Sequence, residues 1–319
     1  MTATRPAPVA DRYPTRVAER PRELARTDPV VWGRAADGPL DEASLGRFAT
    51  DGYLQVDELA TPQEVRRYLD ELARLSSDRG LRRDERTVVE PDADEVRSIF
   101  EVHVISPVFA ELVRDPRVAG VARQLLGSDV YVHQSRVNFK PGFAGKEFQW
   151  HSDFETWHAE DGMPAMRAAS ISIALTDNHA SNGPLMIMPG SHRTFISCVG
   201  ETPDDNYRQS LRAQEVGSPD PASLSRLADR HGIDVLTGPA GGATVFDCNC
   251  MHGSNGNITP FPRANVFVVF NSVDNACVEP FAAPARRPTF VAARDFSPVP
   301  RASPVAAGAF SADARASAR

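Results

Sequence analysis

The densest concentration of reactive side chains is Phe148-Gln149-Trp150-His151-Ser152-Asp153-Phe154-Glu155-Thr156-Trp157-His158, where rings, imidazoles and carboxylates crowd together. His151 and Asp153 form H-x-D. In extended backbone residues i and i+2 point to the same side, so an imidazole and a carboxylate can converge on one ion. A third donor is His252, in Asp247-Cys248-Asn249-Cys250-Met251-His252-Gly253-Ser254, at the end of a predicted strand that sheet pairing can bring across. Two imidazoles and one carboxylate on one face of a metal leave open positions, the arrangement of non-haem Fe(II) oxygenases. Arg263, on the strand that follows, adds a guanidinium fork that matches the far carboxylate of 2-oxoglutarate. Each residue alone has a plainer reading: a histidine near a strand end is commonly packed or hydrogen-bonded, and an arginine commonly pairs on the surface.

These residues must be positioned by elements that the pattern outlines. Leu45, Phe48 and Ala49 fit a short helix ended by Gly52, and Tyr53 to Val56 read as a strand. Thr61-Pro62-Gln63-Glu64 is a capping box with proline at the first helical position, followed by Val65, Tyr68, Leu69, Leu72 and Leu75 at helical spacing. Asp115-Pro116 opens another helix that stops at Gly127, and Asp220 to His231 a further one. From Val130 toward Lys140 the period becomes alternating, and Ala168–Leu175, Leu185–Met188, Ala243–Asp247 and Ala264–Ser272 continue as strands between turn clusters. A helical front followed by strands predicts a mainly β fold with flanking helices. Residues 1–30, rich in Pro and Arg, read as an irregular N-terminal arm; 31–297 as a single domain; and 298–319, rich in Ala, Ser, Pro and Arg, as a disordered tail.

Composition excludes several classes. The chain has 319 residues, with 35 Lys+Arg against 42 Asp+Glu for a net charge of −7, so no global field attracts nucleic acid or an anionic membrane. The longest strongly apolar run, Val266 to Phe270, is far below the roughly 18 residues of a spanning helix. Without an apolar stretch of secretory type near Met1, the expected location is the cytoplasm. Cys198, Cys248, Cys250 and Cys277 are too scattered for a disulfide framework, and Cys248-x-Cys250 lacks the second pair of a tetrahedral metal set.

The stretch Phe148 to Ser170 resembles the signature block of the ectoine hydroxylases, a branch of the phytanoyl-CoA dioxygenase-like Fe(II)/2-oxoglutarate oxygenases. Three further segments agree: Asn182-Gly183-Pro184-Leu185 leading to Pro189-Gly190-Ser191-His192, Met251 to Pro260, and Asp28-Pro29-Val30-Val31-Trp32. Together they span roughly residues 10–295. The resemblance implies a double-stranded β-helix core of the jelly-roll or cupin-like kind. It also implies Fe(II) on His151, Asp153 and His252, and 2-oxoglutarate, used with dioxygen, against Lys140, Phe148, Arg263 and a serine in Ser170–Ser172, with Ser172 preferred. Gln134 and Trp157 would meet ectoine, with Phe270 as a second wall. The implied reaction converts ectoine to 5-hydroxyectoine and releases succinate and carbon dioxide, in a chain compatible with a homodimer.

These roles suit the chemistry, because a small ring bearing a delocalised amidinium and a carboxylate needs an aromatic face and polar groups. Core packing is the plain alternative for Trp157. Glu155, Glu160 and Asp161 suggest paired acid and base carboxylates, yet the adjacent H-x-D accounts for the cluster better. Two rival functions stay open at this point: a sister oxygenase acting on another small amino acid such as proline, and a jelly-roll protein that binds a small ligand without turnover. A halogenase is disfavoured, since it would replace Asp153 by a small residue.

Overall fold

The run Arg263–Ser272 sets up the two faces of the protein. Arg263, Asn265, Phe267 and Val269 point one way; Ala264, Val266, Val268 and Phe270 point the other, into an apolar cluster shared with the helices. This alternation recurs in the computed structural model, which describes residues 9–17, 19–90 and 95–301. Its strands are β1 (Glu23–Ala25), β2 (Tyr53–Val56), β3 (Thr87–Glu90), β4 (Glu95–Phe100), β5 (Val130–Lys140), β6 (Phe148–His151) and β7 (Ala168–Ala174). They continue as β8 (Leu185–Ile187), β9 (Thr194–Ile196), β10 (Asp234–Leu236), β11 (Ala243–Asp247), β12 (His252–Ser254) and β13 (Arg263–Ser272).

A seven-stranded sheet runs β2-β11-β7-β13-β5-β4-β3 and a four-stranded sheet runs β10-β8-β12-β6, with every neighbour antiparallel. The result is a double-stranded β-helix of the cupin-like kind with flanking helices. Helix α1 (Glu42–Asp51) ends at Gly52, whose φ of 81° is the left-handed cap that glycine adopts without strain. Helix α2 (Pro62–Ser77) starts on the Thr61–Glu64 capping box, both halves of which form. Leu45 and Phe48 of α1 and Val65, Tyr68, Leu72 and Leu75 of α2 pack with Ile171, Ile173, Val245, Val266 and Val268, closing the outer face of the large sheet. Burying each such side chain stabilises the fold by about 1.5–3 kcal/mol.

The ends differ from the sequence expectation. Within the N-terminal arm, β1 pairs with β9, and Tyr13, Thr15 and Arg16 are buried. At the other end Val299 is buried in the main core, and its N–H donates to the Val130 carbonyl at 2.8 Å, so the chain is still docked beyond Pro298. Extended β5 leaves backbone groups at Val130 that this segment satisfies. The remainder of the expected tail, 302–319, lies outside the described residues, as do 1–8 of the arm.

Candidate active site

His151 ends β6 and His252 begins β12, a short strand of its own rather than the end of β11. The two strands are antiparallel neighbours with these residues directly opposite, which puts the ring centroids 4.2 Å apart. His151 Nδ1 lies 2.8 Å from the Gln149 carbonyl, and His252 Nδ1 lies 2.9 Å from the Cys250 carbonyl. A carbonyl only accepts, so each Nδ1 carries the proton and each Nε2 presents a lone pair. Asp153 is not in extended backbone: it opens a helical turn, Asp153–Thr156, just past β6. Its Oδ1 lies 3.6 Å from His151 Nε2 and 3.9 Å from His252 Nε2. Those separations are too long for hydrogen bonds, and the three donor atoms lie within 4.8 Å of one another.

Electrostatics favours the ligating forms of His252 and Asp153. Burial, reinforced by the neighbouring His151, pushes the His252 imidazole down to about 4. Burial alone would raise the Asp153 carboxyl, but nearby positive charge, that of Arg136 and of the imidazoles whenever they are protonated, outweighs it and holds the group well below the usual carboxylate range. Ser170 Oγ donates to Asp153 Oδ2 at 3.3 Å. Buried neutral imidazole and buried carboxylate are the donor chemistry of a divalent transition metal, and the residues fit one.

His151 and His252 open onto a cleft walled by both sheets. Arg97, Arg136, Lys140, Lys146 and Arg263 line it, and among the described residues no acidic side chain does. Lys140 and Arg263 are cross-strand partners on β5 and β13. Arg263 is buried, its guanidinium pushed down to about 10, and Nη1 donates to the Gly183 carbonyl. Burial, with Arg263 and Arg97 nearby, pushes the Lys140 ammonium down to about 7, while Nζ donates to Ser254 Oγ at 3.0 Å. Crowded, desolvated cations of this kind favour an anionic guest. Phe148 forms an apolar wall.

Four expected contacts are placed elsewhere. Phe270 is fully buried on the opposite face of β13, against the helices, because it falls on the even positions while Arg263 falls on the odd. The aromatic wall on that strand is Phe267, which even spacing from Arg263 would have identified. Ser172 accepts from Asn265 Nδ2 at 2.9 Å in a small neighbouring cavity, and Ser170 is the serine that reaches Asp153. Gln134 stands behind the cleft: Nε2 donates to the Val291 carbonyl at 2.7 Å and Oε1 accepts from Arg136 Nη1 at 2.6 Å. Trp157 packs in an apolar cluster with Tyr13, Phe154, Met163 and Phe195 rather than lining the cleft.

Arg136 was missed, although even spacing along β5 from Lys140 marks it. Its guanidinium lies 4.9 Å from the Phe267 ring centroid. Also missed was a buried chain of charge, in which Arg287 Nε donates to Asp161 Oδ1 at 2.8 Å and His133 Nε2 meets Asp161 Oδ2 at 3.2 Å.

Comparison with known proteins places this geometry. A family model described as phytanoyl-CoA dioxygenase (PhyH) matches residues 48–265. The ectoine dioxygenase of Streptomyces coelicolor is 61% identical over 294 residues, covering 91% of this chain and 97% of that protein. Among solved structures, EctD from S. alaskensis with 2-oxoglutarate and 5-hydroxyectoine is similar with a TM-score of 0.82 at 47% identity, covering 91% of this chain and 96% of that one. EctD from S. alaskensis with bound Fe gives 0.83 at 45%, covering 92% and 98%.

Proposed function

Since the chain belongs to the phytanoyl-CoA dioxygenase family, we propose that it is an Fe(II)- and 2-oxoglutarate-dependent dioxygenase that hydroxylates ectoine to 5-hydroxyectoine, releasing succinate and carbon dioxide. The observation that carries this reading is the convergence of His151, Asp153 and His252, two of which, His151 and His252, line a cleft ringed by cations.

His151 Nε2, the Asp153 carboxylate and His252 Nε2 would hold the iron, which when bound couples oxidative decarboxylation of 2-oxoglutarate to oxygen insertion into a C–H bond. Arg263 and Lys140 take the far carboxylate of 2-oxoglutarate, the one by its fork and the other as a point charge. Phe148 and Phe267 cover the remainder of the cosubstrate and exclude water. Ser170 fixes one oxygen of Asp153, leaving the other free to ligate. On the substrate side Gln134 acts through Arg136, whose guanidinium it holds in the cleft, and Trp157 supports the helical turn that carries Asp153.

We take residues 31–297, with the docked arm and the docked segment through Val299, as one catalytic domain, and place the protein in the cytoplasm without nucleic-acid or membrane partners. The four buried free cysteines suit a reducing compartment, and no described helix is long and apolar enough to cross a membrane. A homodimer is part of the proposal; exposed Phe143, Ile258 and Phe261 on adjoining loops offer apolar surface for it.

Anaerobic reconstitution with Fe(II), 2-oxoglutarate and ectoine, followed by air and mass spectrometry, tests the reading. Equal amounts of succinate and 5-hydroxyectoine support it. Turnover of proline in preference to ectoine would identify a sister oxygenase, and ligand binding without succinate a non-catalytic protein.

A further inference from the structure

Behind the cleft the chain buries a second group of charges. Glu155 and Glu160 lie on the helical segment that begins with Asp153 and are nearly inaccessible. They do not act as an acid and base pair, because both face Arg16 of the N-terminal arm. Arg16 Nε donates to Glu155 Oε1 at 3.2 Å, Nη2 to Oε2 at 3.2 Å, and Nη1 lies 2.7 Å from Glu160 Oε1. Thr15 Oγ1 adds a bond to Glu155 Oε1 at 2.7 Å. The same guanidinium reaches a distant loop, with Nη1 donating to Thr202 Oγ1 at 2.6 Å. Asn206 Nδ2 of that loop donates to Glu160 Oε1 at 2.8 Å, and Gln214 Nε2 to Thr156 Oγ1 at 3.1 Å. Between those two residues, Leu211 lines the cleft.

Arg16 itself has a φ of 53°, the left-handed region that a non-glycine residue occupies only when its surroundings hold it there. Its side chain is held by the pair of carboxylates and Thr202, and its chain neighbours Thr15 and Val17 by bonds to Cys198 and Gly200.

We propose that Arg16 is a positioning residue for the metal site: one buried guanidinium from the N-terminal arm neutralises two carboxylates on the segment that carries Asp153, and ties that segment to the loop that carries Leu211. Without the guanidinium, Glu155 and Glu160 are left as two desolvated like charges, since Arg287, which also acts on Glu160, is already bonded to Asp161, and the segment or the loop must move to rehydrate them. Asp153, two residues from Glu155, moves with the segment. The arm is thereby a structural part of the active site, although none of its described residues lines the cleft. This inference rests on reading His151, Asp153 and His252 as metal ligands.

Full-length wild type, Arg16→Met, the triple variant Arg16→Met/Glu155→Gln/Glu160→Gln and Asp153→Ala are titrated anaerobically with Co(II), and steady-state constants are measured separately with Fe(II). Arg16→Met should bind Co(II) about tenfold more weakly or worse, and its kcat should fall while the KM for 2-oxoglutarate stays within about twofold. The triple variant, with the charge imbalance removed, should regain most of the Co(II) affinity. Wild-type Co(II) affinity in Arg16→Met, or no recovery in the triple variant, overturns the proposal. Should Arg16→Met fail to fold, a folded triple variant with near-wild-type Co(II) affinity supports it, and an unfolded or metal-deficient one overturns it. If Asp153→Ala binds Co(II) like wild type, the reading of the ligands fails instead.

Discussion

His252 is the cross-strand partner of His151, held there by the pairing of β12 with β6. Register alone brings the two imidazoles together, and a slip of one residue in either strand would turn one ring to the opposite face. Each ring is fixed in the same way, by an Nδ1–H to a carbonyl two residues earlier, so the site is preorganised by short-range bonds on both strands.

Changing His151, Asp153 or His252 to alanine should therefore abolish hydroxylation, since two donors cannot fix an ion that needs a three-point face. Iron content after reconstitution and succinate release are the measurements. A variant with near-wild-type turnover removes that residue from the ligand set.

Arg263→Ala should act on 2-oxoglutarate. Removing one member of a buried, hydrogen-bonded charge pair costs about 2–4 kcal/mol, so the KM for 2-oxoglutarate should rise at least tenfold more than that for ectoine, roughly 1.4 kcal/mol in difference. Arg263→Lys should recover little, because an ammonium lacks the fork. A larger effect on ectoine would move Arg263 to the substrate side.

Where local rules decide, the sequence was readable. Thr61, Pro62 and Glu64 define the start of α2, and Gly52 and Gly127 mark helix ends, both with positive φ. The candidate metal donors, as a converging set, were legible because H-x-D is local and His252 needed only a strand to carry it. Phe270 was not: Val266 to Phe270 is apolar throughout, and both faces of β13 are buried, so no polar alternation reports which side faces the cleft. Arg16 was equally opaque, because its meaning depends on Glu155 and Glu160, partners that only the fold brings to it. Burial of Val299 likewise depends on a contact with Val130, at the start of β5, that composition does not reveal.

That contact is open to test. Val299→Asp places a charge in the main core and should lower stability by on the order of 2–4 kcal/mol, seen as a fall in melting temperature of several degrees. An unchanged melting temperature would mean that the segment beyond Pro298 contributes nothing to the fold.

The His133–Asp161 pair predicts a pH dependence. Burial alone would lower the imidazole, but the hydrogen bond to Asp161, the adjacent Cys277 sulfur and the charge of Asp161 outweigh it and raise the group to about 9, above its ordinary 6.5. A raised folded-state value means stabilisation that is complete below about pH 6.5 and is lost as pH rises through about 9. The difference in melting temperature between wild type and His133→Asn should accordingly shrink from pH 6 to about pH 10, whereas groups common to both, such as Lys140, cancel. A difference that stays constant with pH would show that His133 is neutral in the fold.

Trp157 decides between wall and core. Its ring is 3% exposed, packs with Phe154 and Met163 and lies edge-on to His133 at 5.3 Å between centroids. A side chain so placed contributes mainly by filling volume, and truncating a buried tryptophan to alanine costs about 3–5 kcal/mol through lost transfer energy and the cavity left behind. Trp157→Ala should therefore lower the melting temperature markedly and weaken metal retention, because the same segment carries Asp153. Trp157→Phe, which fills most of the space, should keep near-wild-type stability and turnover. If Trp157→Ala instead melts like wild type and only the KM for ectoine rises, the ring meets the substrate directly and the packing role is wrong.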